Sequence, residues 1–377
     1  MLKKLFLTST LLLFILSLGY AAWLKWGIAP YLGYKPPHTP HIHGTFHVHS
    51  EASHDSKNTL DSIIRAAKKN NLDFVVVTDH NVDERRPGTK HGVHVIFAPE
   101  ISTPFGHAIR FPKQSTNTAP PPSNLTHPLF TKENLAQPNS LLIAAHPTLR
   151  RNPWIGPWVG LGGMEIASIN SNLQNNFGKY LEKSIPAILS YLINPTPFYA
   201  LLYSQDQKAI SRWDDYQKEN ILGFCAVDAH DWVPLNDILG LWELVIPRAE
   251  NPEPISPEQI IARINAGKFY CRASRLLNKD SALEFSVSAE EPAHDLKTQF
   301  TVKQIKASFT SPPMAGKPPR LVLYRFGIPI LTTTDSNLSY KTTEKGRYRV
   351  EGQLYLPTIT GTHKWITVMY SNKILVH

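Results

Sequence analysis

Thirteen of the chain's sixteen histidines fall between His38 and His230, and only His294, His363 and His377 lie beyond. Imidazole is a ligand for borderline divalent cations, so the clustering concentrates that chemistry in one region. Placement sharpens the reading. Phe46-His47-Val48-His49 sets two imidazoles at i and i+2, which share one side of an extended chain and can reach one cation. Val75-Val76-Val77-Thr78-Asp79-His80, Phe97-Ala98-Pro99-Glu100, Ile143-Ala144-Ala145-His146 and Cys225-Ala226-Val227-Asp228-Ala229-His230 each end an apolar run on His, Asp or Glu. In sheets of parallel strands, functional side chains sit just past the C-terminal strand ends, where the loops converge on one face. A single strand-end His is ordinarily a satisfied structural residue. Five such endings on successive strand candidates point to a metal centre.

Elements must hold those ends together. Apolar runs at 74–78, 93–98, 141–145, 164–169 and 222–227 read as strands, and the amphipathic run 59–69 reads as a helix. Strands spaced by helices predict an α/β body with a largely parallel sheet or barrel. Ser256-Pro257-Glu258-Gln259 supplies an N-cap, a first-turn proline and a capping-box Gln, predicting a helix to about Ala266. The proline-rich stretch Pro112 to Ser123 reads as a loop or lid. The apolar patches Ile185–Ile193 and Phe198–Tyr203, in a helical insert spanning 172–220, are expected to pack in the core, with contact to a bilayer or a lipid tail as the alternative. Beyond Ser281 the texture changes to alternating segments such as Arg320–Tyr324, Arg347–Val350 and Trp365–Val368, predicting a small all-β sandwich in a structural or positioning role. The expected organisation is thus an anchor and spacer over 1–35, a metallohydrolase body over 36–280, and a β domain over 281–377 whose deletion should spare metal binding if the body folds alone.

The motifs His47-Val48-His49-Ser50, Ser53-His54-Asp55, Thr78-Asp79-His80-Asn81, Glu100-Ile101-Ser102, Gly106-His107, Ala145-His146-Pro147 and Asp228-Ala229-His230 resemble, in order, those of the PHP domain of polymerase and histidinol phosphatase relatives. The resemblance implies a distorted seven-stranded β/α barrel over 36–280 that binds two or three divalent metal ions and hydrolyses phosphate mono- or diesters by metal-activated hydroxide. It implies a first metal on His47, His49 and Asp228, with Glu100 bridging to a second on His107 and His146, and a third on Asp55, His80 and His230. His54, beside Asp55, is the alternative in that loop, and Asp79 is expected to orient a ligand rather than bind. His41, His43, His91, His94 and His127 lack strand-end positions and are expected on the surface or in loops. Imidazole with carboxylate suits Zn, Mn or Fe over Mg or Ca. Arg150 and Arg151 follow His146-Pro147, where the bidentate fork of Arg150 could clamp a substrate phosphate. The alternative chemistry is an amidohydrolase-like reaction on a non-phosphate bond, or a noncatalytic, metal-stabilised binding module.

The 39 Lys and Arg exceed the 30 Asp and Glu by nine, yet the excess lies outside the body. Residues 1–35 hold four Lys and no acid, and basic and acidic residues balance over 36–280. A nucleic-acid groove is therefore not expected, and the substrate expected is a small-molecule or lipid phosphate ester. Lys3 and Lys4 precede the apolar run Leu5–Leu24, which predicts an anchor with the body on the extracytoplasmic side, or a cleaved signal after Gly19-Tyr20-Ala21-Ala22. Cys225 and Cys271 are too few for a disulfide scaffold and are expected as two buried free thiols on neighbouring strands, with pairing outside the cytoplasm as the alternative.

Overall fold

The computed structural model describes residues 2–23, 25, 41–82, 86–113, 140–158, 160–177, 190–216, 221–248, 254–277, 281–289, 303–311, 314, 316–358 and 362–376. The spacer Pro30–Pro40, the Ser123 end of the proline-rich loop, His127 and the patch at 185–189 lie outside them.

Strands form over the five apolar runs that predict them and at further places besides. They are β1 Ile42–Val48, β2 Phe74–Val77, β3 Gly88–Lys90, β4 Val93–Phe97, β5 Glu100–Thr103, β6 Gly106–Pro112, β7 Ser140–Ala144, β8 Gly163–Ser168, β9 Leu222–Ala226, β10 Trp242–Ile246 and β11 Tyr270–Ala273. Further along come β12 Leu283–Ala289, β13 Lys303–Phe309, β14 Arg320–Arg325, β15 Ile328–Thr333, β16 Asn337–Thr342, β17 Gly346–Pro357, β18 His363–Ser371 and β19 Ile374–Val376. The helices are α1 Leu2–Ala22, α2 Leu60–Lys69, α3 Ile169–Phe177, α4 Thr196–Leu202, α5 Gln207–Asp215, α6 Leu235–Ile238 and α7 Pro257–Asn265. Caps explain two helix starts. The Thr59 hydroxyl accepts from Ser62 N–H at 3.1 Å to open α2, and Ser256 and Gln259 exchange both bonds of a capping box to open α7. Helix α2 then buries Ile63, Ile64, Ala66 and Ala67. Each of the two isoleucines stabilises the fold by roughly 1.5–3 kcal/mol.

The body is mixed, and no closed seven-stranded barrel is present among the described residues. One sheet carries β1, β2 and β4 in parallel with β10 and β11 antiparallel at its flank. A second runs β5-β6-β7-β8-β9, parallel only from β7 onward. The departure from βα alternation has a local cause at the β5–β6 turn. Gly106 has φ +115°, and a Cβ there would meet the Pro153 carbonyl at 2.8 Å, so the chain reverses tightly and returns antiparallel. The sheets meet where the strand-end motifs lie. Val227 N–H and Ala229 N–H donate to Phe46 and His47 carbonyls at 3.0 and 3.1 Å, and Asn81 N–H donates to Glu100 at 2.9 Å.

Cys225 on β9 and Cys271 on β11 are disulfide-bonded, with Cα atoms 5.8 Å apart. They stand on different sheets, so the bond staples one to the other; the expectation of free thiols on neighbouring strands is corrected on both counts. Beyond residue 281 every described regular element is a strand. Sheet β12-β13-β16 packs on β17, where the Phe309 ring fills the space a Gly352 side chain would need. Strands β14, β15, β17, β18 and β19 extend the first sheet through β11–β18 pairing, Tyr270 opposite Ser371.

In the 172–220 insert, Tyr199, Ala200, Leu202 and Tyr203 are buried, whereas Tyr191, Leu192 and Ile193 are exposed, which corrects the core expectation for those three. Residues 8–19 of α1 are exposed, Leu11 to Leu16 and Leu18 among them, whereas Tyr20, Ala21 and Ala22 are half-buried. Among the described residues no helix is long and apolar enough to cross a membrane.

Candidate metal centre

Strand β1 delivers the first two imidazoles through a bulge. Its register with β2 shifts between Phe46 and Val48, and His47 takes φ 71°. A non-glycine residue pays strain there, as do Asp228 (φ 51°) and His146 (φ 28°), so three strand-end residues are held off ordinary backbone minima by their surroundings. His47 and His49 consequently converge, Nε2 to Nε2, at 3.0 Å.

Glu100, at the start of β5 and fully buried, stands at the centre. Its Oε2 lies 3.0 Å from His47 Nε2, 3.2 Å from His49 Nε2 and 3.6 Å from His80 Nε2. Its Oε1 lies 2.8 Å from His107 Nδ1 and 2.9 Å from His146 Nε2. One carboxylate thus faces two sets of imidazoles, one per oxygen. Asp228 Oδ1 approaches His47 Nε2 at 3.3 Å and His49 Nε2 at 3.5 Å. Asp55 Oδ2 lies 3.0 Å from His230 Nε2 and 3.2 Å from His80 Nε2. The nine ligand-type residues read from the sequence therefore share one cluster. Of the two neighbours in the β1–α2 loop, Asp55 faces it, while His54 is exposed with its ring tilted against that of His80, centroids 4.9 Å apart.

Supporting side chains fix the ligands. Asp79 accepts from Ser50 N–H and Ser50 Oγ–H, both at 2.5 Å, clamping the residue after His49. Ser53 Oγ–H donates to Asp55 at 2.7 Å and accepts from His80 N–H at 3.2 Å. Sequence reasoning missed two supports. Glu165, fully buried in β8, has Oε1 2.5 Å from His47 Nδ1, and its Oε2 accepts from His146 N–H at 2.7 Å. Asn170, in the first turn of α3, donates to Asp228 Oδ2 at 2.6 Å. The available signal was an acid inside the apolar run Gly163–Ser168, where nothing but a buried partner would keep it. His43 is also corrected: it is buried in β1, with Nδ1 3.0 Å from Glu243, which also pairs with Arg272 at 3.0 Å. Arg150 is exposed, with its main-chain N–H donating to Asn175 at 2.9 Å.

The cluster's electrostatics follow from burial of many acids and bases together. Burial alone lowers the basicity of His47, but Asp228, Glu165 and Glu100 outweigh it and hold the imidazole well above its ordinary 6.5. Burial likewise opposes protonation of His49, while Asp228 and Glu100 raise it to about 9. His146 is raised against burial by Glu100. Burial would raise Glu100, Asp228 and Asp55, yet the facing imidazoles hold all three well below the carboxylate range.

A cation fits this donor set. Imidazole nitrogens that face one another at 3.0 Å repel when both are protonated and when both turn lone pairs to each other; a cation held by both lone pairs removes the second conflict. Five overlapping groups offer ligand atoms within 4.8 Å of one another: His47, His49 and Glu100; His47, His146 and Asp228; His49, Asp228 and His230; His49, Asp55 and His80; and His80, Glu100 and His107. Nitrogen-rich sets of this kind suit Zn, Mn or Fe.

Residues 45–115 match the family model of the PHP domain, a stretch that carries His47, His49, Asp55, His80, Glu100 and His107. PHP domains are generally metal-dependent hydrolases, and the match supports that family for this part of the chain. No curated protein matches the sequence.

Proposed function

We propose that the chain is a metal-dependent phosphoesterase that hydrolyses a phosphate mono- or diester. The observation that carries the reading is Glu100, whose two oxygens face two separate sets of imidazoles within 3.6 Å. His47, His49, Asp228 and Glu100 would hold one divalent ion, Glu100, His107 and His146 a second, and Asp55, His80 and His230 a third. Such ions neutralise nonbridging phosphate oxygens and acidify water, which removes the need for a protein nucleophile. The protein's own part is positional. Glu100 fixes the spacing of the two imidazole sets, and Asp79 and Ser53 hold the loop that carries His49 and Asp55.

Purified protein loaded with Zn, Mn or Fe and offered phosphate monoesters, phosphate diesters and amides tests the proposal. Metal-dependent release of phosphate or of an alcohol from a diester is expected. Amide turnover without phosphoester turnover would overturn it in favour of an amidohydrolase-like reaction.

The body is proposed to work outside the cytoplasm, held at the membrane by the N-terminal apolar run Leu5–Leu24. Three features support this: Lys3 and Lys4 ahead of the apolar run, the exposed leucines of α1, and a disulfide, which persists in oxidising compartments. Resistance to alkaline extraction, with the body digested by protease added outside an intact membrane, is the expected result. A body shielded from that protease would reverse the orientation.

A further inference from the structure

Glu165 lies behind the metal cluster and touches two of its members by different means. Its Oε1 is 2.5 Å from the ring Nδ1 of His47, and its Oε2 accepts the main-chain N–H of His146 at 2.7 Å. Those histidines belong to the two sets of imidazoles that Glu100 divides, and their rings stack with centroids 5.8 Å apart. Two buried carboxylates therefore enclose the His47–His146 pair, Glu100 at the Nε2 atoms and Glu165 behind. Both oxygens of Glu165 are engaged by donors, so it has no role as a ligand itself.

We infer that Glu165 is the positioning residue that couples the two halves of the centre. The inference rests on the metal-centre reading above and concerns how that centre is kept in register. A carboxylate at Nδ1 requires the proton of a neutral His47 to sit on Nδ1, which leaves the Nε2 lone pair free to bind a cation. The same carboxylate secures the peptide of His146, whose φ of 28° is an unfavourable value for a residue with a Cβ. One side chain sets the tautomer of one ligand and the backbone of the other.

Substitution by glutamine separates this role from simple packing. The amide is the same size but presents one acceptor where two donors converge. If its oxygen faces His146 N–H, its NH2 faces His47 Nδ1, which must then accept; the ring proton moves to Nε2 and blocks the metal. If the amide is reversed, His146 N–H is buried without an acceptor and the strained turn is released. Aspartate keeps two acceptors on a shorter stem and rescues in part.

The test is a zinc titration of the full chain against a chromophoric chelator, beside thermal melting and 15N-histidine spectra of the zinc-loaded protein. Expected are zinc binding weaker on the order of ten- to a hundred-fold in Glu165→Gln, recovery of most of that loss in Glu165→Asp, and an Nδ1-bound proton on His47 in the parent. A folded Glu165→Gln protein with parental zinc affinity and number overturns the inference. So does a Glu165→Asp protein no better than the glutamine variant, which would mark a packing role. If Glu165→Gln does not fold, the parent spectrum decides: an Nε2-bound proton on His47 in the loaded protein also overturns it. Failure of the parent to hydrolyse any phosphoester, with zinc bound and the glutamine defect present, would sink the phosphoesterase reading and leave the coupling intact.

Discussion

At the residue scale, the centre sets protons and metal in competition, and the two forms of the protein should respond to pH in opposite directions. In the metal-free fold His49 is raised to about 9, and His47 and His146 are raised as well, so their pairing with the acids stabilises fully below 6.5 and is lost as pH climbs through the folded values. Glu100, Asp228 and Asp55 are lowered, so their contribution is present above the ordinary carboxylate range and fades only as pH falls below it. Metal-free protein is expected to melt at progressively lower temperature from pH 6.5 to 9. Metal-loaded protein should gain stability over the same span, because ligand imidazoles must shed protons to bind and affinity rises with pH. Melting in chelator and in excess zinc at three pH values checks both slopes; parallel slopes would refute the assignment. Glu100→Ala removes both oxygens shared by the imidazole sets and should cost more than about a hundred-fold in turnover and metal affinity. Metal analysis of that variant decides whether the two sets are joined. These ligands were legible because strand-end position is a strong filter on residue type. Glu165 and Asn170 were not, since a lone acid within an apolar strand and an asparagine opening a helix carry no mark of what they touch across the sheet.

At the element scale, apolar runs located strands to within a residue, while pairing stayed hidden. Phe74–Val77 is buried throughout and reads as a continuous apolar run whichever neighbours cover it. Nothing in that pattern tells a closed barrel from two sheets that meet at their ends. The hairpin at Gly106 turned the chain antiparallel, and the antiparallel β10 and β11 carried the first sheet toward the C-terminal strands. The Cys225–Cys271 bond is the covalent trace of that arrangement. It closes a separation of 46 residues between two sheets, and its removal should cost about 2–4 kcal/mol. Paired Cys225→Ala and Cys271→Ala substitutions, measured by denaturant unfolding, are expected to lose that amount and to retain full metal content, since neither sulfur faces the cluster. Equal stability of the double variant and the parent would show that hydrogen bonds alone hold the sheets.

At the scale of the whole molecule, the texture change at 281 marks a change of secondary structure, but contacts run across it. Strand β18 lies against β11, and Trp242 packs its ring 6.0 Å from that of Tyr370. A buried ionic network reinforces the seam. Arg349 on β17 forks onto Asp214 of α5 at 2.8 and 2.6 Å and meets Glu351 at 2.5 Å, while Glu351 accepts from Thr367 and Gln353 at 2.6 and 2.8 Å. Removing one partner of such a pair strands the other charge away from water, at a cost of about 3–5 kcal/mol. Arg349→Met should therefore destabilise the entire chain by that amount in a single unfolding transition that includes the metal centre. Truncation at 281 goes further, because it uncovers the β11 edge and leaves Asp214 without its guanidinium. The shortened chain is expected to aggregate rather than fold, in which case the metal binding that the sequence reading made conditional on a self-folding body is lost with it. A soluble fragment of residues 36–280 with a sharp melting transition and full metal content would show that the seam joins two units that each fold alone; loss of both in the fragment, together with one transition in Arg349→Met, would mean that the β strands after 281 complete the sheet on which the metal ligands stand.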